Sequence, residues 1–133
     1  MKILDSDHCV AILCARLDLS GRVAPDEELA TTAVSVGELA HGASKSQHAA
    51  ENLARLDVLL AALIVLPYDE AYARRFGHLK AQLERAGEVI SDLDLQIASI
   101  ALEQPALLVT HNQKYFSRLV SMAGLALDDW LKE

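Results

Sequence analysis

A chain of 133 residues, 52% of them hydrophobic, is long enough to bury a real core and too apolar to stay disordered. Nineteen acidic residues against twelve basic ones leave a net charge of −7, which argues against strong, non-specific duplex binding through a broad basic face. A nucleic-acid substrate is not excluded, because divalent metal at an acidic site offsets its charge.

The length suits one domain spanning residues 1–133. Met1-Lys2-Ile3-Leu4-Asp5 reaches a carboxylate at once, unlike a secretory apolar region. The most apolar run, Leu59 to Leu66, is too short to span a bilayer, so no membrane role is expected. Cys9 and Cys14, five apart, would point in different directions on a helix. They read as core thiols in a reducing cytoplasm rather than a disulfide or zinc pair.

Lys2-Ile3-Leu4 has the short apolar character of a central parallel strand. Ser6 to Leu19 carries Val10, Ile12, Leu13 and Leu17, which suits a helix, and Asp18 to Glu28 is turn-rich around Gly21 and Pro25. Thr31-Thr32-Ala33-Val34 predicts a second strand. Ser35 with Glu38 predicts a capping box opening the next helix. Gln47 to Leu63 predicts a helix, and Ile64-Val65-Leu66 a third strand stopped by Pro67. Asp69 to Gly87 predicts a helix with Ala71, Phe76, Leu79 and Leu83 inward.

The next stretch, from Ser91 to Ala101, carries two apolar rows. Leu93, Ile97, Ile100 and Ala101 form one; Leu95, Ala98 and Leu102 form the other. A helix apolar on most sides must be covered by other elements, and its acidic entrance at Asp92 and Asp94 then lies at the core's margin. Ser91 with Asp94 also makes a capping box. Ala106 to Thr110 predicts a fourth strand. A short helix through Tyr115, Phe116 and Leu119 leads to an extended piece near Leu125 to Leu127.

Strands alternating with helices predict a parallel sheet covered on both faces, a three-layer α/β/α sandwich. In such sheets the functional crevice lies beyond the carboxyl ends of the strands. Asp5 follows the first strand, Glu38 lies just past the second, and Asn112 lies two residues past Thr110 on the fourth. Asp5, Glu38 and Asp94 each have a local reason to exist, but local reasons do not require them to meet. Clustered carboxylates repel one another unless a cation or a shared proton intervenes. Hard oxygen ligands suit magnesium or manganese, and such an ion activates water for in-line phosphodiester cleavage. No G-x-S-x-G elbow, phosphate-binding G-x-x-x-x-G-K loop or G-x-G-x-x-G fingerprint is present.

Ile3-Leu4-Asp5-Ser6-Asp7-His8 resembles the opening of PIN-domain proteins, VapC-type toxins of toxin–antitoxin pairs in particular. The resemblance continues through Ser35-Val36-Gly37-Glu38-Leu39-Ala40-His41-Gly42, Asp92-Leu93-Asp94-Leu95-Gln96-Ile97-Ala98 and Leu108-Val109-Thr110-His111-Asn112. It reaches a C-terminal Leu-Asp-Asp-Trp ending at Trp130. It implies a PIN-like sandwich and a magnesium-dependent endoribonuclease, with manganese as the other candidate ion. It also implies a cognate antitoxin as inhibitor and, usually, a homodimer. By the same resemblance Asp5, Glu38 and Asp94 carry the chemistry, with Asp5 and Asp94 as metal ligands. Glu38, Asp92, Thr110 and Asn112 are then further ligands or support around them. Many relatives carry an acid where this chain has Asn112, so one full-strength metal is better founded than two.

Other readings are weaker. Asp5-Ser6-Asp7 also matches the Asp-x-Asp of haloacid-dehalogenase-like phosphatases, but the chain is short for them and no convincing later lysine and paired-aspartate motif follows; Asp7 then assists the first helix or the site's surroundings. Glu38-x-x-His41 has di-iron spacing in a single copy, where two are needed. His8, His41, His48, His78 and His111 show no zinc spacing; His111 reads first as a surface histidine, and is the one candidate among them for RNA contact. Arg74, Arg75, Lys80, Arg85, Lys114 and Arg118 read as solvated helix faces, with Arg85, Lys114 and Arg118 as candidate phosphate contacts. The apolar excess in the first helix and in Gln47 to Leu63 suits a dimer surface, an antitoxin groove or plain core. A catalytically weak binding module is the competing function.

Overall fold

In the computed structural model, which describes residues 1–131, the strand-like runs pair into one parallel sheet. Its strands are β1 (Lys2–Leu4), β2 (Leu29–Thr32), β3 (Ile64–Leu66), β4 (Leu107–Val109) and β5 (Leu127–Asp128), in the order β3-β2-β1-β4-β5. The helices are α1 (Ser6–Leu13), α2 (Ala33–Ser44), α3 (Ala49–Ala61), α4 (Glu70–Arg85), α5 (Asp92–Glu103) and α6 (Gln113–Ala123).

The two-residue period of the strands divides the core. Ile3 and Leu108 face a cluster built by Tyr72, Leu79 and Leu83 of α4, the buried row of α5, and Phe116 and Leu119 of α6. Their neighbours Leu4 and Val109 face the other way, onto Cys9 of α1, Leu39 of α2, Leu56 of α3 and Trp130. Successive side chains point to opposite faces of a strand, so the central strands β1 and β4 each feed both layers. The result is the expected α/β/α sandwich.

Helix α5 is the most buried of the helices. Leu95, Ile97, Ala98, Ser99, Ile100 and Ala101 are all buried, and the Ser99 hydroxyl donates to the Leu95 carbonyl at 2.7 Å, which removes its need for water. Leu93, read as part of the apolar row, is instead 49% exposed at the helix's first turn.

Five local expectations are corrected. The first helix stops at Leu13 rather than Leu19, because Ala15 turns into the left-handed region (φ 55°) and Arg16 N–H bonds back to the Ala11 carbonyl. The second strand ends at Thr32, and Ala33 and Val34 open α2. The cap of α2 is therefore Thr32, whose Oγ1 accepts from Ser35 N–H at 3.1 Å, rather than Ser35 itself. On α4 Ala71 is exposed and Tyr72 is buried in its place, giving an inward row at 72, 76, 79 and 83. Cys9 is buried as expected, but Cys14, at the end of α1, is exposed.

From β1 the chain steps outward to β2 and β3, then crosses back to place β4 on the other side of β1. The strand order reverses between β1 and β4. A crevice opens beyond the carboxyl ends of strands at such a reversal.

Candidate active site

Asp5 stands at the reversal, one residue past β1, and is 2% exposed. Its N–H donates to the Val109 carbonyl at 2.9 Å, which locks it to the end of β4. Its Oδ1 accepts from Ser6 N–H at 2.8 Å, so Asp5 caps α1. Its Oδ2 accepts from the Thr110 hydroxyl at 2.8 Å, and Thr110 Oγ1 accepts in turn from Asn112 N–H at 3.1 Å. Thr110 is fully buried, and a buried hydroxyl that both donates and accepts has little freedom to move.

Burial pushes the Asp5 carboxyl up from 3.8 to about 6, with Asp7 and then Asp94 adding to the rise against the hydrogen bonds from Thr110 and Ser6. Burial also raises the Glu38 carboxyl, and Asp5, Asp94 and Asp7 reinforce that shift. Acids from the end of β1, from α1, from α2 and from α5 thus share one field. Among the described residues no basic side chain offsets it at Asp5 or Glu38. Because α2 begins at Ala33, Glu38 lies in the helix's second turn, clear of any capping duty.

The two acids of α5 part company. Asp94 is half-buried and its Oδ2 accepts from the Ser91 hydroxyl at 2.8 Å, while Ser91 Oγ accepts from Asp94 N–H at 3.2 Å. Ser91 is the cap of α5, as expected. Asp92 turns to α4 instead, 2.9 Å from Lys80 Nζ, and exerts no resolved influence on Asp5 or Glu38. Of the six residues singled out from the sequence, Asp5 and Thr110 are bonded at the sheet's reversal, and Asp5, Asp94 and Glu38 lie near enough for their charges to act on one another. Asn112 reaches Thr110 through its main chain, its side chain making no cap bond at the start of α6. Asp92 lies apart.

Residues 3–120 match the PIN domain family. The chain belongs to that family. It is 34% identical over 103 residues to the tRNA(fMet)-specific endonuclease VapC of Shigella flexneri, covering 77% of this chain and 76% of that protein. Among solved structures it resembles VapBC2 from Rickettsia felis bound to a DNA fragment from their promoter. That match has a TM-score of 0.87 and 30% identity, and covers 97% of this chain and 98% of the other. It also resembles VapBC-5 from Mycobacterium tuberculosis, a member of the VapBC family of toxin–antitoxin systems, with a TM-score of 0.70, 27% identity and coverage of 96% and 95%. The PIN match sets aside the phosphatase reading of Asp5-Ser6-Asp7.

Three residues beside this PIN site escaped the sequence reading or were undervalued by it. Asp7 Oδ2 accepts from His111 N–H at 2.9 Å, and its Oδ1 lies 2.6 Å from His8 Nδ1. Asp129 Oδ2 lies 2.8 Å from His111 Nδ1. Burial works to raise the Asp129 carboxyl, but hydrogen bonds from Leu131 N–H and from His111 outweigh it and hold the group below its ordinary value. His111, expected to reach outward, is therefore tethered through its ring. Asp7 adjoined Asp5 in the sequence and was legible as a neighbour. His8 and Asp129 carried no local signal, since the contact that joins His8 to the turn after β5 spans more than a hundred residues.

The basic helix faces are mostly paired. Arg74 meets Glu70, Arg75 meets Glu103, Lys80 meets Asp92 and Arg118 meets Glu88. A groove of about 320 Å³ between α1, α2 and α3 opens beside Glu38 and is lined by Val10, Leu13, Leu39 and Leu56. Among the described residues no helix is long and apolar enough to cross a membrane.

Among the described residues no three His, Cys, Asp or Glu side chains stand close enough to enclose a metal ion. The donor chemistry nevertheless fits one. The gathered acids offer only carboxylate oxygen, the ligand type magnesium and manganese take. A buried carboxyl pushed up to about 6 among neighbouring acids is what a divalent cation relieves. The Ser91 hydroxyl engages one oxygen of Asp94, Oδ2, while the cap itself runs from the Asp94 N–H to Ser91 Oγ, so capping leaves the other carboxylate oxygen for an ion.

Proposed function

We propose that this chain is the ribonuclease toxin of a toxin–antitoxin pair, an endonuclease that hydrolyses RNA phosphodiesters at the acidic crevice beside β1 and β4. One observation carries the reading: Asp5 is buried and hydrogen-bonded to Thr110 at the sheet's reversal, in the shared field of Glu38 and Asp94. The PIN membership and the nuclease name of the Shigella relative support it.

In this reading Asp5 and Asp94 hold a divalent ion, magnesium or manganese, which when bound lowers the pKa of water and stabilises charge on the phosphate. Asp5 supplies a ligand oxygen while Thr110 fixes the carboxylate's rotation. Glu38 accepts a hydrogen bond from the attacking water and aims it. Asn112, uncharged and exposed, contributes an amide to the phosphate rather than a second anionic ligand set. The groove between α1, α2 and α3 is the surface we assign to the cognate antitoxin, since its apolar lining suits a helix laid in a groove. Pairing of two copies and a cytoplasmic setting belong to the same reading.

Purified protein freed of any antitoxin is expected to cleave RNA with magnesium or manganese and to stop when a chelator is added. Cleavage that persists in excess chelator overturns the metal assignment. A second reading, a PIN-fold binding module with little catalysis, is favoured by two observations: among the described residues no three ligands converge, and the position at 112 carries no charge. Tight partner binding, with no heat of metal binding and no cleavage of tRNA or messenger RNA, would decide for it.

A further inference from the structure

We infer that Asp7, His8 and Asp129 form a bracket that positions the loop between β4 and α6, and through it the Asp5 carboxylate. The turn that follows β5, residues 129–131, thereby supports the site from more than a hundred residues away. The inference rests on the reading that Asp5 lies at the reacting centre.

His8 is fully buried on α1. Trp130 N–H lies 3.1 Å from its Nε2. A main-chain N–H can only donate, so Nε2 is the acceptor and the ring's proton sits on Nδ1. That proton is then donated to Asp7 Oδ1 at 2.6 Å. The other oxygen of Asp7 accepts from His111 N–H at 2.9 Å and lies 3.4 Å from Thr110 Oγ1. Asp7 therefore has one oxygen on α1 and the other on the loop whose first residue, Thr110, orients Asp5.

His111 is gripped twice. Its main chain is held by Asp7, and its ring by Asp129 Oδ2 at 2.8 Å. Asp129 is itself fixed by Leu131 N–H, which donates to Oδ1 at 2.8 Å. Trp130 anchors this turn: its indole packs with Leu4, Cys9 and Val109, its ring edge meets His8 at 6.1 Å, and its Nε1–H donates to Asp128 at 3.0 Å. Hydrogen bonds thus run from Trp130 through His8 and Asp7 to the His111 N–H, one peptide bond from Thr110, whose hydroxyl donates to Asp5. Apolar residues of the same shape would fill this volume without needing partners. What polar residues add is a fixed rotation for each carboxylate, and orientation by outer partners is what holds a ligand group ready.

The test compares Asp129→Ala and His8→Phe with wild type in kcat, KM for RNA, Mn²⁺ affinity, and exchange of the His111 and Asn112 amides. Leu83→Ala, a core change remote from the bracket, is the control for lost stability alone. The two bracket variants are expected to lower kcat and Mn²⁺ affinity by about ten- to a hundredfold, as removal of such partners does, with KM close to wild type and faster exchange at both amides. His8→Asn, which returns a donor to Asp7, is expected to recover much of the loss. Unchanged kcat, affinity and exchange in a folded Asp129→Ala protein would overturn the bracket, as would an equal kcat loss in Leu83→Ala. Should His8→Phe not fold, Asp129→Ala decides. If wild type cleaves no RNA, the proposed function fails by itself, and amide exchange still decides the bracket.

Discussion

Asp5 and Thr110 stand 105 residues apart in sequence and are joined by a 2.8 Å hydrogen bond across the boundary of β1 and β4. That bond ties the first strand's exit to the fourth's at the place where the sheet reverses its order. It also spans the step at which the acids of α1, α2 and α5 come to share one field.

The two acids of α5 should separate experimentally. Asp94→Asn is expected to abolish metal-dependent RNA cleavage while leaving the circular-dichroism spectrum intact, because an asparagine still accepts from Ser91 and keeps the cap. Asp92→Asn should leave the cleavage rate near wild type, since Asp92 faces Lys80 on α4. A large loss of activity in Asp92→Asn would move the site toward α4.

Asp5→Asn should make the metal-free protein more stable at neutral pH. The folded-state carboxyl is raised from 3.8 to about 6, so its stabilising contribution is full below about pH 4 and is lost as pH rises through about 6. The interval corresponds to on the order of 3 kcal/mol. The hydrogen bonds tolerate the change, because the asparagine oxygen still accepts from Ser6 and the Thr110 hydroxyl has Asp7 within 3.4 Å as another acceptor. Urea titrations with chelator should show the variant's advantage growing from nothing near pH 4 to a plateau above pH 7. An advantage independent of pH would mean that the Asp5 charge is not its source.

Manganese or magnesium should close that gap. An ion bound only to the folded state stabilises it by about 3 kcal/mol at a hundred times its dissociation constant. Thermal midpoints of wild type should therefore rise with added metal, and those of Asp5→Asn and Asp94→Asn should rise much less. Equal rises in all three proteins would place the ion elsewhere.

Two turns test the backbone reading. Gly124 ends α6 in the left-handed region at φ 74°, and no atom lies within 4 Å of where an added methyl group would stand. Gly124→Ala is therefore expected to cost about 1 kcal/mol from conformation alone. Ala15 already bears that strain at φ 55°, and Ala15→Gly should return up to about 1 kcal/mol. Chemical denaturation of the pair should move in opposite directions.

Much of this was legible along the chain. Strand and helix periods gave the sandwich; the acids at strand ends gave Asp5 and Glu38; Ser91 and Asp94 gave the mouth of α5. Errors fell where a local pattern had a close rival. Ser35 and Glu38 make a plausible capping box, but Thr32 begins the helix three residues earlier, which leaves Glu38 available to the crevice. Leu17 and Leu19 continue an apolar pattern that suits a helix, yet the chain has turned at Ala15 and packs them from a loop.

By itself the sequence determined the class of fold, the acids that flank the crevice and the apolar stripe of α5, because each depends on the period of side chains within one element. Only the tertiary structure decided which acids meet. Asp94 and Asp92 are two residues apart on one helix, and a rotation of about 200° between them sends one toward Asp5 and the other to Lys80. Asp7 was legible as a neighbour of Asp5, but its union with His8 and Asp129 was not, since the bonds from Trp130 to His8 and from His111 to Asp7 span more than a hundred residues and exist only once β1 and β4 lie side by side.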